Sequence, residues 1–383
     1  MKNLFSYLLL IAVVILSTTS CETRRVNNTK DEAIENYTTL VLNNYNAAYA
    51  DAVTMKSALN AFTASPSEGT LTAAKNAWFQ ARETYGITEV FRFQDGPIDL
   101  IGSNEGPEGL LNAWPLDESH IDYVDGNATS GIVNDASITI DKATLEGKNG
   151  VPEEENVAIG YHAIEFLLWG QDLTAPSAKQ PGQRVYTDFV DGGTADNQDR
   201  RRQYLDVCAD LVLDHLQLVI DEWKDGGAYR DEFLNFDTDV AMSKIMTGMA
   251  ALARTELSGE RIFTAYDNED QEDEHSCFSD NTHRDTRLNF QGIKNVYLGL
   301  IDGSENTSVH DVIAAKDQEL ADSVKEALTA AETAVNGTAI PFDFAITDAT
   351  ERPKVLIAVQ ALRTLGDRLV EAGSALDIEV GIE

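Results

Sequence analysis

Over residues 31–63, Ile34, Tyr37, Val41, Tyr45, Ala48, Ala52, Met55 and Leu59 recur at spacings of three and four. That period lays one apolar stripe along a long α-helix, and Pro66 stops it. A stripe of this length is stable only when other helices cover it. The same period returns in residues 71–85, through Ala74, Ala77, Trp78, Ala81 and Tyr85, and in 153–170, 196–225, 238–265, 286–300, 308–336 and 350–373. Glu153, Glu154 and Glu155 suit the positive end of the helix expected to start there. Strand-like alternation is confined to residues 137–140. The predicted fold is therefore all-α. With 43% apolar residues and more length than one average domain needs, it is expected to form two four-helix-bundle-like domains, 31–195 and 196–383. Long helix pairs on either side of residue 195 are consistent with an internal duplication.

Two stretches break the helical pattern. Residues 86–155 carry Gly96-Pro97, Gly106-Pro107, Trp114-Pro115 and Gly150, and residues 171–195 carry Pro176, Pro181 and Gly192-Gly193. Long irregular connections in compact domains tend to carry function.

The N-terminus reads as an export signal. Lys2 precedes an apolar run over residues 4–16, followed by Ser17, Thr18, Thr19 and Ser20, all directly before Cys21. The run is too short to span a bilayer comfortably. A Cys after small residues is where bacterial lipoproteins are cleaved and lipidated, although Thr18 stands where the usual signal has Leu. The expectation is a signal peptide over 1–20, a lipidated Cys21, a tether over 21–30, and an address in the periplasm or outer membrane. Acidic residues outnumber basic ones by 64 to 29, for a net charge of −35, which excludes nucleic acid as a partner and accords with cations. Cys208 and Cys277 remain, and an oxidising compartment leaves their pairing open. No Cys-x-x-Cys is present, which disfavours a thiolate zinc site.

Four constellations can carry chemistry. In Gly160-Tyr161-His162-Ala163-Ile164-Glu165, an imidazole and a carboxylate lie three apart on one helical face, a spacing that can grip a metal ion. Ile164, Phe166, Leu167 and Leu168 make this helix largely buried, so the bland alternative is a His–Glu pair that only bonds neighbouring helices. Gly160 lets another backbone come close. Residues 269–283 hold Glu272, Asp273, His275, Asp280 and His283, with Cys277 and Phe278 drawing part of the segment inward. Residues 78–99 interleave Glu83, Glu89, Arg92 and Asp99 with aromatics, which reads either as internal ion pairs or as carboxylates facing His162. Glu256, Glu260 and Arg261 lie at a helix end, where ion pairing is the simpler reading. No His-Glu-x-x-His, Gly-x-Ser-x-Gly, phosphate loop or dinucleotide fingerprint is present.

Gly160-x-His162-x-x-Glu165 matches the signature of the imelysin-like proteins, and the chain resembles their iron-regulated protein A branch more closely. Matching blocks follow in order: Phe91-Arg92-Phe93 to Gly96-Pro97-Ile98-Asp99, Ala113-Trp114-Pro115-Leu116-Asp117, residues 271–283, and Asn295-Val296-Tyr297-Leu298-Gly299. The resemblance implies an all-α fold of two bundles with a site at their interface, in an envelope lipoprotein linked to iron supply. It implies that His162 and Glu165 hold a metal ion, iron or zinc. Glu83, Glu89 and Asp99 are expected to join from the first domain, with Glu272, Asp273, His275, Asp280 and His283 from the second. Gly160, Arg92, Glu256 and Arg261 are expected to support them. Two alternatives stand beside this metal-binding role and its envelope iron-uptake partner. One is an imelysin-type metallopeptidase in which Glu165 is a ligand or general base. The other is an interface that binds a non-metal ligand or a partner protein.

Overall fold

The computed structural model describes the backbone of residues 2–382 and the side chains of residues 24–382. The expected signal segment and the expected lipidation site, Cys21, lie outside the residues whose side chains are described. Helix α1 (Lys2–Ala64) carries the stripe seen in the sequence, with Val41, Tyr45, Ala48, Ala52, Met55 and Leu59 all buried. Helix α2 (Glu68–Gly86) starts at a capping box: Ser67 Oγ accepts from the Thr70 amide, and the Thr70 hydroxyl accepts from the Ser67 amide. Then come α3 (Gly160–Trp169), α4 (Gln198–Trp223) and α5 (Thr238–Ala251). Helix α5 runs without interruption into a π-helical stretch, Leu252–Phe263. Helices α6 (Thr282–Leu298), α7 (Val309–Lys316), α8 (Gln318–Asn336) and α9 (Arg352–Ala375) follow.

Helix α1 packs against two groups of helices, α2 with α4 and α5 with α7. Towards its end it lies on α2 and α4, with Asp51 accepting from Gln80 at 3.1 Å and Lys56 paired with Asp210. Nearer its start it meets α5 and α7, with Lys30 Nζ 2.5 Å from Asp239 and Asn36 donating to the Thr307 carbonyl at 3.0 Å. Helix α8 packs on α9, and α9 packs on the π-helical stretch. A single hydrophobic core runs through both groups. Among the described residues, no helix is long and apolar enough to cross a membrane.

The structure departs from expectation at three places. The helix expected over 153–170 begins only at Gly160, because Asn149 Oδ1 accepts from the Ala158 and Ile159 amides and holds that backbone extended. The helix expected over 308–336 is two, because the Asp317 carboxylate caps α8 by accepting from the Leu320 amide. Residues 137–140 form no strand, since the Ser137 amide and hydroxyl both bond to Asp135 in a local turn. The small sheets lie elsewhere, as two antiparallel hairpins of matching register: Leu100↔Glu105 with Ile101↔Asn104, and Leu300↔Glu305 with Ile301↔Ser304. Strands of two residues are too short to show alternation. Cys208 and Cys277 are both free thiols.

Candidate metal centre

Helix α3 and the 269–281 loop meet at two histidines, each backed by a carboxylate. His162 is 1% exposed and Glu165 0%. His162 Nδ1 lies 2.8 Å from Glu165 Oε2, while Glu165 Oε1 accepts from the Ser279 amide at 3.0 Å and its hydroxyl at 2.6 Å. His275 repeats the arrangement. Its Nδ1 lies 2.9 Å from Asp285 Oδ2, which also accepts from Ser276 Oγ, and Asp285 Oδ1 faces Arg82 at 3.1 Å. The two imidazole rings meet edge to face with centroids 4.7 Å apart. His162 Nε2 is buried without a hydrogen-bond partner. His275 Nε2 has only a long contact, 3.4 Å, to the Asn112 amide nitrogen.

Glycine makes this meeting possible. Gly160 has φ +89°, and a Cβ there would stand 2.6 Å from the Leu111 carbonyl oxygen. Helix α3 therefore starts against the Glu108–Leu111 turn that carries the chain to Asn112. Gly160→Ala meets both the backbone clash and the unfavourable φ, and is expected to cost about 2–4 kcal/mol. Urea unfolding of the variant checks this, and a midpoint equal to wild type would show that the close approach is dispensable.

Asn112 joins the histidine centre to a buried ion-pair network. Its Nδ2 donates to Glu89 Oε1 at 3.2 Å, and its Oδ1 accepts from Arg82 at 2.5 Å. Glu89 Oε2 faces Arg261 at 2.7 Å and Arg92 at 3.1 Å. The π-helical stretch explains how Glu256 reaches the same place. Residues five apart diverge on an α-helix but come together on the wider π-helix, and Arg261 Nε bonds Glu256 Oε1 at 2.9 Å. Above this floor opens a cavity of about 940 Å³, with Arg92, Arg261, Trp114 and His275 in its lining. Glu105, Glu108, Glu153, Glu154, Glu155, Glu256 and Glu260 also line it. A mouth this acidic concentrates cations.

Burial sets the protonation of the centre. It lowers His162 to about 3, helped by the Arg82 cation, and raises Glu165 to about 8. The pair is thus neutral and hydrogen-bonded. Burial likewise lowers His275 to about 3, with Arg261 adding to the effect. Burial alone would raise Asp285, but Arg82, His275 and Ser276 together hold it far below the usual carboxylate range. Glu89 behaves similarly: Arg261 and Arg92 overcome its burial and bring it to about 2. The histidines are neutral in the folded chain and shed their remaining protons in the unfolded chain within about a unit above pH 6.5, whereas Glu165 keeps its proton only when folded and up to about pH 8. The folded state then binds more protons, so stability falls as pH rises from 6.5 to 8, by up to about 1.4 kcal/mol per pH unit from Glu165. Metal-free protein should show a lower urea midpoint at pH 8 than at pH 6.5. A higher one would contradict this protonation scheme.

Of the residues singled out in the sequence, the structure brings His162, Glu165, His275 and Glu89 together, with Gly160, Arg92, Glu256 and Arg261 around them. The others lie apart. Arg82 turns inward, so its neighbour Glu83 turns out and pairs with Arg284 at the half-exposed surface. Asp99 sits beside Gln94, and burial raises it to about 6. Asp273 accepts from Asn268. Glu272, raised to about 7 by burial and by Glu118, faces that carboxylate. His283 bonds the Asp280 carbonyl, and Asp280 itself belongs to a separate acidic cluster. Glu153, Glu154 and Glu155 line the cavity and cap no helix. Arg82, Asn112, Ser276, Ser279 and Asp285 are members of the centre that the sequence alone does not single out. Asp285 carried one faint signal, an acid just after two histidines. The serines carried none.

Fold and site define an all-helical protein with a buried pair of carboxylate-backed histidines beneath an acidic cavity. The chain belongs to the imelysin family, whose model matches residues 41–369. It is 24% identical over 342 residues to iron-regulated protein A of Synechococcus elongatus, spanning 86% of this chain and 82% of that one. Two solved structures share its fold. A protein described as an iron-regulated protein A precursor from Parabacteroides distasonis superposes with TM-score 0.71 at 19% identity, covering 91% of this chain and 95% of its own. An imelysin-like protein from Psychrobacter arcticum superposes with TM-score 0.66 at 13% identity, covering 93% and 98%.

Proposed function

We propose that this chain binds a metal ion, iron or zinc, at His162 and His275 and serves iron acquisition as a lipid-anchored protein of the cell envelope. One observation carries the reading: two buried imidazoles lie side by side, each with Nδ1 fixed by a carboxylate, and His162 Nε2 has no partner. A carboxylate behind Nδ1 with Nε2 left free is how proteins orient histidine ligands. Neutral imidazoles suit iron and zinc alike, and the names of the relatives favour iron. Both Glu165 oxygens are engaged, by His162 and by Ser279. Glu165 therefore serves as the group that orients His162, and a holding role is favoured over peptide hydrolysis. The acidic cavity supplies the route by which a cation enters.

Elemental analysis and anaerobic calorimetry of the purified protein with ferrous and zinc ions test the reading. About one equivalent should bind with release of protons. No binding of either ion would remove it. Anchoring is tested separately: labelled palmitate should enter the wild type and not Cys21→Ser, and equal labelling of both would end the lipoprotein assignment.

A further inference from the structure

The 269–281 loop has a second polar face. Asp172, from the connection after α3, Asp280, from the loop before α6, and Asp343, from the short helix Phe342–Thr347, bring carboxylate oxygens within 4.8 Å of one another. Glu274 stands beside them, 1% exposed, and neither of its carboxylate oxygens meets a partner at full hydrogen-bond geometry, the Thr282 side chain being the donor that acts on it. Asp343 is 2% exposed, and its Oδ1 is also without a partner. Gln271 donates to the Asp172 carbonyl at 2.8 Å and keeps a buried Oε1 unpartnered.

Three other buried carboxylates are each paired with a guanidinium. Asp285 has Arg82, Glu89 has Arg261, and Asp122 has both Arg184 and Arg201. The cation that acts on the four acids of this cluster is Lys179, felt at Asp343, and its ammonium lies over the Phe344 ring, 3.6 Å from the centroid. Buried carboxyl groups without a paired cation must hold protons or hold a metal. Their oxygens are the only donor type gathered here, without imidazole or thiolate, which is the ligand set of hard cations. Ligands on a shell of about 2.4 Å radius are at most about 4.8 Å apart, so oxygens gathered within that limit can share one calcium-sized ion.

We propose that Asp172, Glu274, Asp280 and Asp343 form a binding site for a calcium-class divalent cation, distinct from the histidine centre. Burial and mutual repulsion raise Asp280 to about 7, and burial raises Asp343 to about 6. The ion-free cluster thus stores protons that a cation replaces. Along the loop, Glu274 and Asp280 turn to this site, while His275, Ser276 and Ser279 turn to the histidine centre. The cation therefore braces the segment that completes the other centre.

The test is calorimetry and thermal melting of the purified protein with calcium chloride at pH 7.5 in physiological salt, beside Asp343→Asn, Glu274→Gln and His162→Ala. Wild type should bind about one calcium and melt at a higher temperature with it. Asp343→Asn, shown folded by circular dichroism, should lose at least roughly tenfold in affinity, and Glu274→Gln serves the same purpose if Asp343→Asn does not fold. His162→Ala should bind calcium as wild type does, whatever it does to iron or zinc. Absence of a calcium response in the wild type, unchanged affinity in the folded carboxamide variant, or loss of calcium binding in His162→Ala would each overturn the proposal.

Discussion

His162→Ala is expected to abolish binding of ferrous and zinc ions while leaving a folded protein. His162 is neutral in the fold and bonds only Glu165, which keeps its two bonds from Ser279. Removing the imidazole therefore strands no charge. It does remove the free Nε2 on which the binding reading rests. The loss should exceed the roughly 10- to 100-fold that removal of an orienting partner costs. Glu165→Gln should fall within that smaller range, because it disturbs the partner and keeps the ligand. Anaerobic titrations of both variants measure the order of effects. If Glu165→Gln is the more damaging, Glu165 binds the ion directly. If His162→Ala binds as tightly as wild type, the centre is structural.

The largest loss of stability is expected from Arg82→Ala. The Arg82 guanidinium bonds Asn112 and Asp285 and lies among the rings of Trp78, Tyr85 and Tyr161 at 5.8, 5.5 and 5.3 Å. Without it, Asp285 is left charged in the interior with only His275 and Ser276 as partners. Breaking one side of a buried pair costs about 3–5 kcal/mol, a large part of the stability of an ordinary domain. The urea midpoint should fall accordingly, and a change below about 1 kcal/mol would mean that the network relaxes around the gap.

What the sequence revealed and what it hid follow from range. Local periodicity exposed the α1 stripe from Ile34 to Leu59, and spacing on one helix exposed His162 and Glu165 as neighbours. Both signals depend on residues a turn or two apart. Asp285, the partner of His275, escaped because the two are joined by a loop that folds back, with Ser279 reaching Glu165 across 114 positions. Glu83 and Arg82 differ by one position, and only tertiary packing decides which faces inward. The non-helical course of 153–159 was hidden for a similar reason: Asn149, whose side chain takes the amides of Ala158 and Ile159, forestalls the helix there. Glu256 and Arg261 would not share a face on an α-helix, and nothing in residues 252–263 announces the wider helix that joins them.

The most direct test of the account is an anomalous-difference map, recorded at the iron edge, from crystals of the protein loaded with ferrous ion under anaerobic conditions. One strong peak is expected, at coordination distance from His162 Nε2 and the His275 imidazole. A peak at the Asp172, Asp280 and Asp343 cluster instead, or no peak at either histidine in protein shown to contain iron, would contradict it.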